Sequence, residues 1–273
     1  MSFVAALVLS LAIGVSLGLL GGGGSILTVP ILVYVVALDA KPAIATSLLV
    51  VGITSAAAVI PHARAGRVSF GMGAAFGAAS MSGAFVGGRL AHAIPSSVLL
   101  IAFALMMLVT GVAMLRGRAV AGKTAGPRPW GRIVVSGVGI GLLTGVIGAG
   151  GGFLIVPALV LLCGLPMTNA VATSLFVIAI NSLAGFAGYV GTVPVDPRIA
   201  GFVTLAAVVG SIAGARLADR VRPDVLRRGF AWFVLAMGVF MVARQTSLAV
   251  GAAAAAVAGL GGWVAARSRQ RTA

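Results

Sequence analysis

The stretch that decides the fold is "GLLGGGGSILTVP", residues 18–30. Four consecutive glycines interrupt an apolar run that begins near Phe3 and ends near Leu38. A run of that length belongs in a bilayer, yet glycine in a helix interior costs roughly 1 kcal/mol against alanine. The interruption therefore needs a reason. Over 273 residues the chain is 60% hydrophobic and 8% charged, with a mean hydropathy of +1.17. Such a composition cannot clothe a water-exposed surface, so the chain reads as an integral membrane protein in contact with the lipid bilayer.

Apolar runs of about the length that spans hydrocarbon, roughly 20 residues, are read at 3–38 (broken), 43–60, 70–90, 98–115, 133–165 (broken), 170–190, 199–217, 230–243 and 248–266. None alternates as a membrane barrel strand would, so the expected class is all-α. The formal charge of +15 gathers in the flanks of these runs. Arg116, Arg118, Lys123, Arg128 and Arg132 fill one linker, Arg220, Arg222, Arg227 and Arg228 fill a loop, and Arg267, Arg269 and Arg271 lie in the tail. Basic flanks of this kind set orientation and meet anionic headgroups, which excludes a nucleic-acid partner as their explanation. The clusters do not fall on one side under a simple count of crossings, and the central linker is expected to be cytoplasmic. The first Lys or Arg is Lys41, so the N-terminus lacks the basic start of a signal peptide and is expected to be retained.

Sliding the chain on itself places "GLLGGGGSILTVPILV" (18–33) on "GVIGAGGGFLIVPALV" (145–160), an offset of 145 less 18, or 127. The same offset places "AIATSLLVV" (43–51) on "AVATSLFVI" (170–178) and "GGRLA" (87–91) on "GARLA" (214–218). The expected organisation is a first membrane repeat at 1–115, a basic linker at 116–132, a second repeat at 133–244, and a C-terminal helix with a basic tail at 245–273. Each repeat has about four spans.

Duplicated halves with a glycine-interrupted segment at corresponding positions point to the binding site of a secondary transporter. Irregular backbone at membrane depth persists only where protein buries it or a cavity hydrates it. A helix restarting at Ser25 or at Gly152 offers unsatisfied N–H groups and a positive dipole end, which favour an anion. The candidate binding residues are therefore Gly21, Gly22, Gly23, Gly24 and Ser25 in the first half, with Gly148, Gly150, Gly151 and Gly152 in the second. Pro30 and Pro157 are expected to keep the restarted segments irregular. Thr46, Ser47, Thr173 and Ser174, duplicated beside the breaks, are candidate donors to a solute's oxygens. Asn181 and Ser182, matching Thr54 and Ser55, either line a pathway or bridge helices, and Asn181 joins the candidate set. Arg89 and Arg216 close the third helix of each half and read as headgroup anchors rather than anion ligands.

The four acids, Asp39, Asp196, Asp219 and Asp224, all lie outside the apolar runs. Cation- and proton-coupled transporters usually carry a carboxylate at membrane depth, so this pattern selects an anionic solute. No metal, cofactor or catalytic motif is present, and "GGGGS" lacks the GK[ST] ending of a phosphate loop. The lone Cys163 forms no internal disulfide.

The doubled glycine-proline and Ala-Thr-Ser motifs, with "PHARAGRVSF" closing a helix, resemble the sulfite exporter TauE/SafE family of membrane permeases. The resemblance runs to about Arg244. It implies a prokaryotic inner-membrane location, transport without an ATPase subunit, and a sulfur-containing anion such as sulfite, an organosulfonate or thiosulfate. It does not fix the oligomeric state, the direction of transport or a coupling ion. Two alternatives stay open: a non-transporting accessory or assembly subunit whose glycines serve packing, and, more weakly, a membrane-embedded enzyme.

Overall fold

The computed structural model describes residues 3–20, 25–116, 130–148, 150–161, 163–218 and 223–245. They form the helices α1 (Phe3–Leu20), α2 (Thr28–Tyr34), α3 (Ala40–Arg64), α4 (Phe70–Ala91), α5 (Ser96–Arg116), α6 (Trp130–Ile147), α7 (Gly152–Leu161), α8 (Met167–Tyr189), α9 (Pro197–Ala218) and α10 (Pro223–Gln245). The described residues contain no strand, and the fold is all-α. Among the described residues five helices are long and apolar enough to cross a membrane, Ala40–Arg64 and Thr168–Tyr189 being two of them. The candidate span at 248–266 lies outside the described residues, as do residues 117–129 of the 116–132 linker and Gly21, Gly22, Gly23 and Gly24.

The 127-residue offset reappears in the helix boundaries. Phe3–Leu20 maps onto Trp130–Ile147 and Phe70–Ala91 onto Pro197–Ala218 at both ends. Smaller details also repeat. After α2 the chain turns through Ala37 at φ 61°, and after α7 through Gly164 at φ 65°. In each turn the following leucine reaches back to the helix, Leu38 N–H to the Leu32 carbonyl at 3.0 Å and Leu165 N–H to the Leu159 carbonyl at 3.2 Å. This is a left-handed C-cap, which glycine adopts without strain and alanine does not. Ala37→Gly is therefore expected to stabilise the protein by about 1 kcal/mol, read as a raised midpoint of thermal unfolding in detergent.

Contacts divide the described helices into two units. One contains α1–α4 with α6–α9, and the other pairs α5 with α10. Each unit draws on both sequence halves. In the larger unit the first helix of each half packs on the third helix of the other, α1 on α9 and α6 on α4. Glycine makes these contacts possible. A Cβ on Gly141 would run into the Ser80 carbonyl, and one on Gly14 into the Ala207 carbonyl, 127 residues away on both sides of the pair. Gly83 and Gly87 press on Val138 and Leu142 of α6, while Gly210 and Gly214 press on Leu11 and Val15 of α1. Backbones this close are the small-residue packing of membrane helices, with van der Waals contact replacing a hydrophobic driving force that lipid does not supply.

The same contacts fix helix direction. Successive glycines of α4 meet successive residues of α6 in ascending order, so the two run parallel. The α3–α8 pair is antiparallel, because Leu48 meets Gly185 and Gly52 meets Leu183. At one end, Lys41 Nζ at the start of α3 donates to the His92 carbonyl just past α4, at 2.6 Å. At the opposite end the Ser69 N–H before α4 donates to Thr173 Oγ1 near the start of α8, at 3.0 Å. Thus α6 runs from the Arg67 end toward the Lys41 end, and α7 must return for α8 to begin where it does. The second broken run is a hairpin rather than one crossing. The two halves of this unit therefore enter from opposite ends, an inverted pair.

Candidate functional site

The second-half break is described from Gly148 onward apart from Ala149. Gly148, Gly150 and Gly151 have φ of 77°, 64° and 73°, a run of left-handed backbone that side chains resist. Each is also crowded. A Cβ would meet Ile44 of α3 at Gly148, Val51 at Gly150 and the Thr144 methyl at Gly151. The break is thus a tight turn in the core, covered by α3 and α8.

Two long helices hold it by side chains. The Ser47 hydroxyl of α3 donates to the Gly148 carbonyl at 2.6 Å, so a residue of the first half pins the break of the second. The fully buried Tyr189 donates its phenol proton to the Val146 carbonyl at 3.0 Å, in the last turn of α6. Those carbonyls would otherwise be orphans of a helix end in a dry core. Beyond the turn, Gly151 accepts from the Leu154 and Ile155 N–H groups at 2.9 Å. Gly152 and Phe153 consequently open α7 ahead of its first intrahelical bonds, at the positive end of its dipole.

The duplicated hydroxyls sit as follows. Thr46, Ser47, Thr173 and Ser174 are all buried. Ser47 holds Gly148, Thr173 caps the start of α4 through Ser69, and Ser174 donates to the Val171 carbonyl in its own helix at 2.7 Å. Ser25 is buried in a short 3₁₀ turn ahead of α2. Pro30 and Pro157 do not leave their segments irregular. Pro30 stands third in α2, where its missing N–H has no partner to lose, and α7 stays helical through position 157. Arg89 is exposed at its helix end.

One level deeper, several polar atoms lack a protein partner. Asn181, 1% exposed, accepts at Oδ1 from the Ser80 hydroxyl at 2.7 Å and leaves its Nδ2 unpaired. Ser80 has one proton, and the Gly77 carbonyl at 3.2 Å is the longer alternative for it. Asn181 therefore bridges α8 to α4 and still has donors to give. The hydroxyls of Ser55, Ser182 and Thr28 are fully buried and unpaired. An unmet buried polar group costs about 1–3 kcal/mol, so several of them call for an explanation. Ser55 and Ser182 are counterparts at the 127-residue offset. The Ser182 Oγ lies 3.1 Å from where a Cβ on Gly150 would stand, beside Val51 and Ile178. Ser55 stands one turn beyond Val51 on the same face of α3, between Val51 and Ala58 of the core cluster. The sequence signal was the repeated Thr54-Ser55 and Asn181-Ser182 pairing inside apolar helices, and it reads equally as helix bridging.

No group of three or more His, Cys, Asp or Glu that could hold a metal occurs among the described residues.

Inverted helical repeats around a glycine break define a class, the multi-pass membrane transporter. Residues 6–241 match the family described as Sulfite exporter TauE/SafE, and the chain belongs to that family. A probable membrane transporter protein of Xylella fastidiosa (strain Temecula1) is 35% identical over 240 residues, covering 85% of this chain and 92% of its own. The probable membrane transporter protein YunE of Bacillus subtilis is 30% identical over 242 residues, covering 80% and 87%. MJ0441 of Methanocaldococcus jannaschii, of the same description, is 26% identical over 261 residues, covering 88% and 97%. No solved structure gives a significant match.

Proposed function

We propose that the chain is a secondary transporter or facilitator that moves a small sulfur-containing oxyanion, of the sulfite, organosulfonate or thiosulfate class, across the inner membrane. The observation that carries this reading is the buried break at Gly148, Gly150 and Gly151, which opens α7 beside the unpaired Ser182 hydroxyl, with the unpaired Asn181 Nδ2 on the adjacent residue. Donors at a helix N-terminus suit oxygen-bearing anions. Family membership supplies the sulfur chemistry as an expectation. Helix-crossing contacts of the kind an accessory subunit would need are made by other glycines, notably Gly14, Gly83, Gly141 and Gly210, whereas the break glycines differ in combining close packing with left-handed backbone. Counterflow of labelled sulfite, thiosulfate and a taurine-derived sulfonate in proteoliposomes tests the reading. Saturable exchange of at least one is expected, and none with folded protein would favour the accessory subunit.

Helix directions also bear on orientation. The end that starts α6 has Arg64, Arg67 and Arg132, and in sequence the basic linker runs directly into α6 and the Arg220–Arg222 stretch directly out of α9. Lys41, Arg89 and Arg198 mark the other. Basic loops stay in the cytoplasm, so the linker end faces inward. An impermeant maleimide should label Arg198→Cys in intact cells and Arg67→Cys only in inverted vesicles, both positions being exposed. The reverse pattern would invert the assignment.

A further inference from the structure

We propose that Ser55 and Ser182, with the N–H groups that open α7, form the solute site of the eight-helix unit, and that this site accepts a singly charged oxyanion and rejects a dianion. The inference rests on the transport reading above and narrows it, because thiosulfate is a dianion at neutral pH and would be excluded. Three of the four hydroxyls beside the breaks already serve the protein: Ser47 pins Gly148, Ser174 bonds within its helix, and Thr173 accepts the Ser69 N–H ahead of α4. The two unpaired serines do not. They occupy equivalent positions of the inverted halves, one on α3 and one on α8, and those helices are in contact at Gly52 and Leu183. Ser182 lies against the turn that delivers the α7 N-terminus. Asn181 Nδ2, on the next residue, adds a third unpaired donor at this level of α8.

The charge preference follows from the donors. Ser55, Ser182, Asn181 and backbone N–H groups are all neutral. The cost of taking an ion out of water grows with the square of its charge, while its attraction to neutral dipoles grows only in proportion to the charge. With this few neutral donors, a second negative charge adds more desolvation cost than attraction. The cationic groups described on the surrounding elements stand at helix ends. Lys41, His62 and Arg64 lie in the terminal turns of α3, Arg89 in the last turn of α4, and Arg132 in the first turn of α6. Tyr189 of α8 is bonded to Val146, Cys163 lies past the far end of α7, and Arg198 opens α9. Serine hydroxyls both donate and accept, so they also suit an oxyanion that retains one proton, such as hydrogensulfite.

Counterflow in proteoliposomes of the full chain tests both parts. At fixed total sulfite, exchange should fall as pH rises through the second ionisation of sulfite, while methanesulfonate, singly charged throughout, should stay flat and sulfate should not compete. Ser55→Ala and Ser182→Ala should each weaken apparent affinity about tenfold. Neither should lower the unfolding midpoint without solute, because each removes a buried hydroxyl that had no partner, whereas a structural serine would lower it. Ser182→Thr, which keeps the hydroxyl, should lose less affinity than the alanine variant. Sulfite exchange that holds or rises with pH, or sulfate competing as well as methanesulfonate, overturns the charge preference. Unchanged affinity in both alanine variants moves the site elsewhere and leaves transport standing. Absence of exchange for every anion removes the transport reading and this site with it.

Discussion

Gly141→Leu is expected to leave almost no folded protein in the membrane, while Gly139→Leu, two residues away on the same helix, is expected to insert and unfold like the parent. Gly141 faces the Ser80 carbonyl so closely that even a Cβ has no room, and the obstacle is backbone, which cannot rotate aside. A Cβ on Gly139 meets nothing within 4 Å. Overpacking in a core ordinarily costs about 1–3 kcal/mol because neighbouring side chains adjust. Here α4 and α6 would have to separate along a seam that also includes Gly83, Gly87 and Gly145, so the cost should exceed about 3 kcal/mol. At position 139 the exchange removes a poor helix former and gains up to about 1 kcal/mol in propensity. Membrane-fraction yield and thermal midpoint of the two variants decide the matter. Equal yields would show that the α4–α6 seam does not hold the fold.

That seam was only partly readable in the sequence. The offset of 127 was visible in the motifs, and the helices obey it to the residue at α1 and α6. Hydropathy placed the long helices because bilayer thickness sets their length. It could not distinguish a broken span from a hairpin. Residues 133–165 are apolar throughout, and composition carries no sign that the chain reverses after Ile147. Counting that run as one crossing is why the basic clusters refused to fall on one side. The crossing glycines were equally silent, because Gly141 and Gly139 look alike until a partner helix is placed against one of them. Of the candidate site, the turn at Gly148 to Gly151 was legible from contiguity and repetition. The Ser47–Gly148 bond was not, since it joins residues of opposite halves that no local pattern connects.

The charge test at the break needs a design that separates electrostatics from backbone strain. Gly151→Asp alone is expected to abolish anion flux, but Gly151→Ala should do severe damage as well, rather than the mild, graded effect that size alone predicts. Position 151 sits at φ 73°, and a Cβ there meets the Thr144 methyl. Asparagine tolerates left-handed backbone better than alanine and matches aspartate in shape. Thr144→Ser removes the offending methyl and keeps the hydroxyl that donates to the Gly141 carbonyl at 2.9 Å. In that background Gly151→Asn and Gly151→Asp differ only in charge. The aspartate would place a carboxylate immediately before the α7 N-terminus, where it satisfies the dipole itself and repels an incoming anion. The asparagine variant should therefore retain measurable sulfite counterflow and the aspartate variant should lose at least about tenfold more, an electrostatic difference of about 1.4 kcal/mol or greater. Membrane insertion should match between the two, since a carboxylate at a helix N-terminus is stabilised rather than stranded. If the two variants insert alike and exchange sulfite alike, no anion approaches this helix end, and its N–H groups serve only to close the turn.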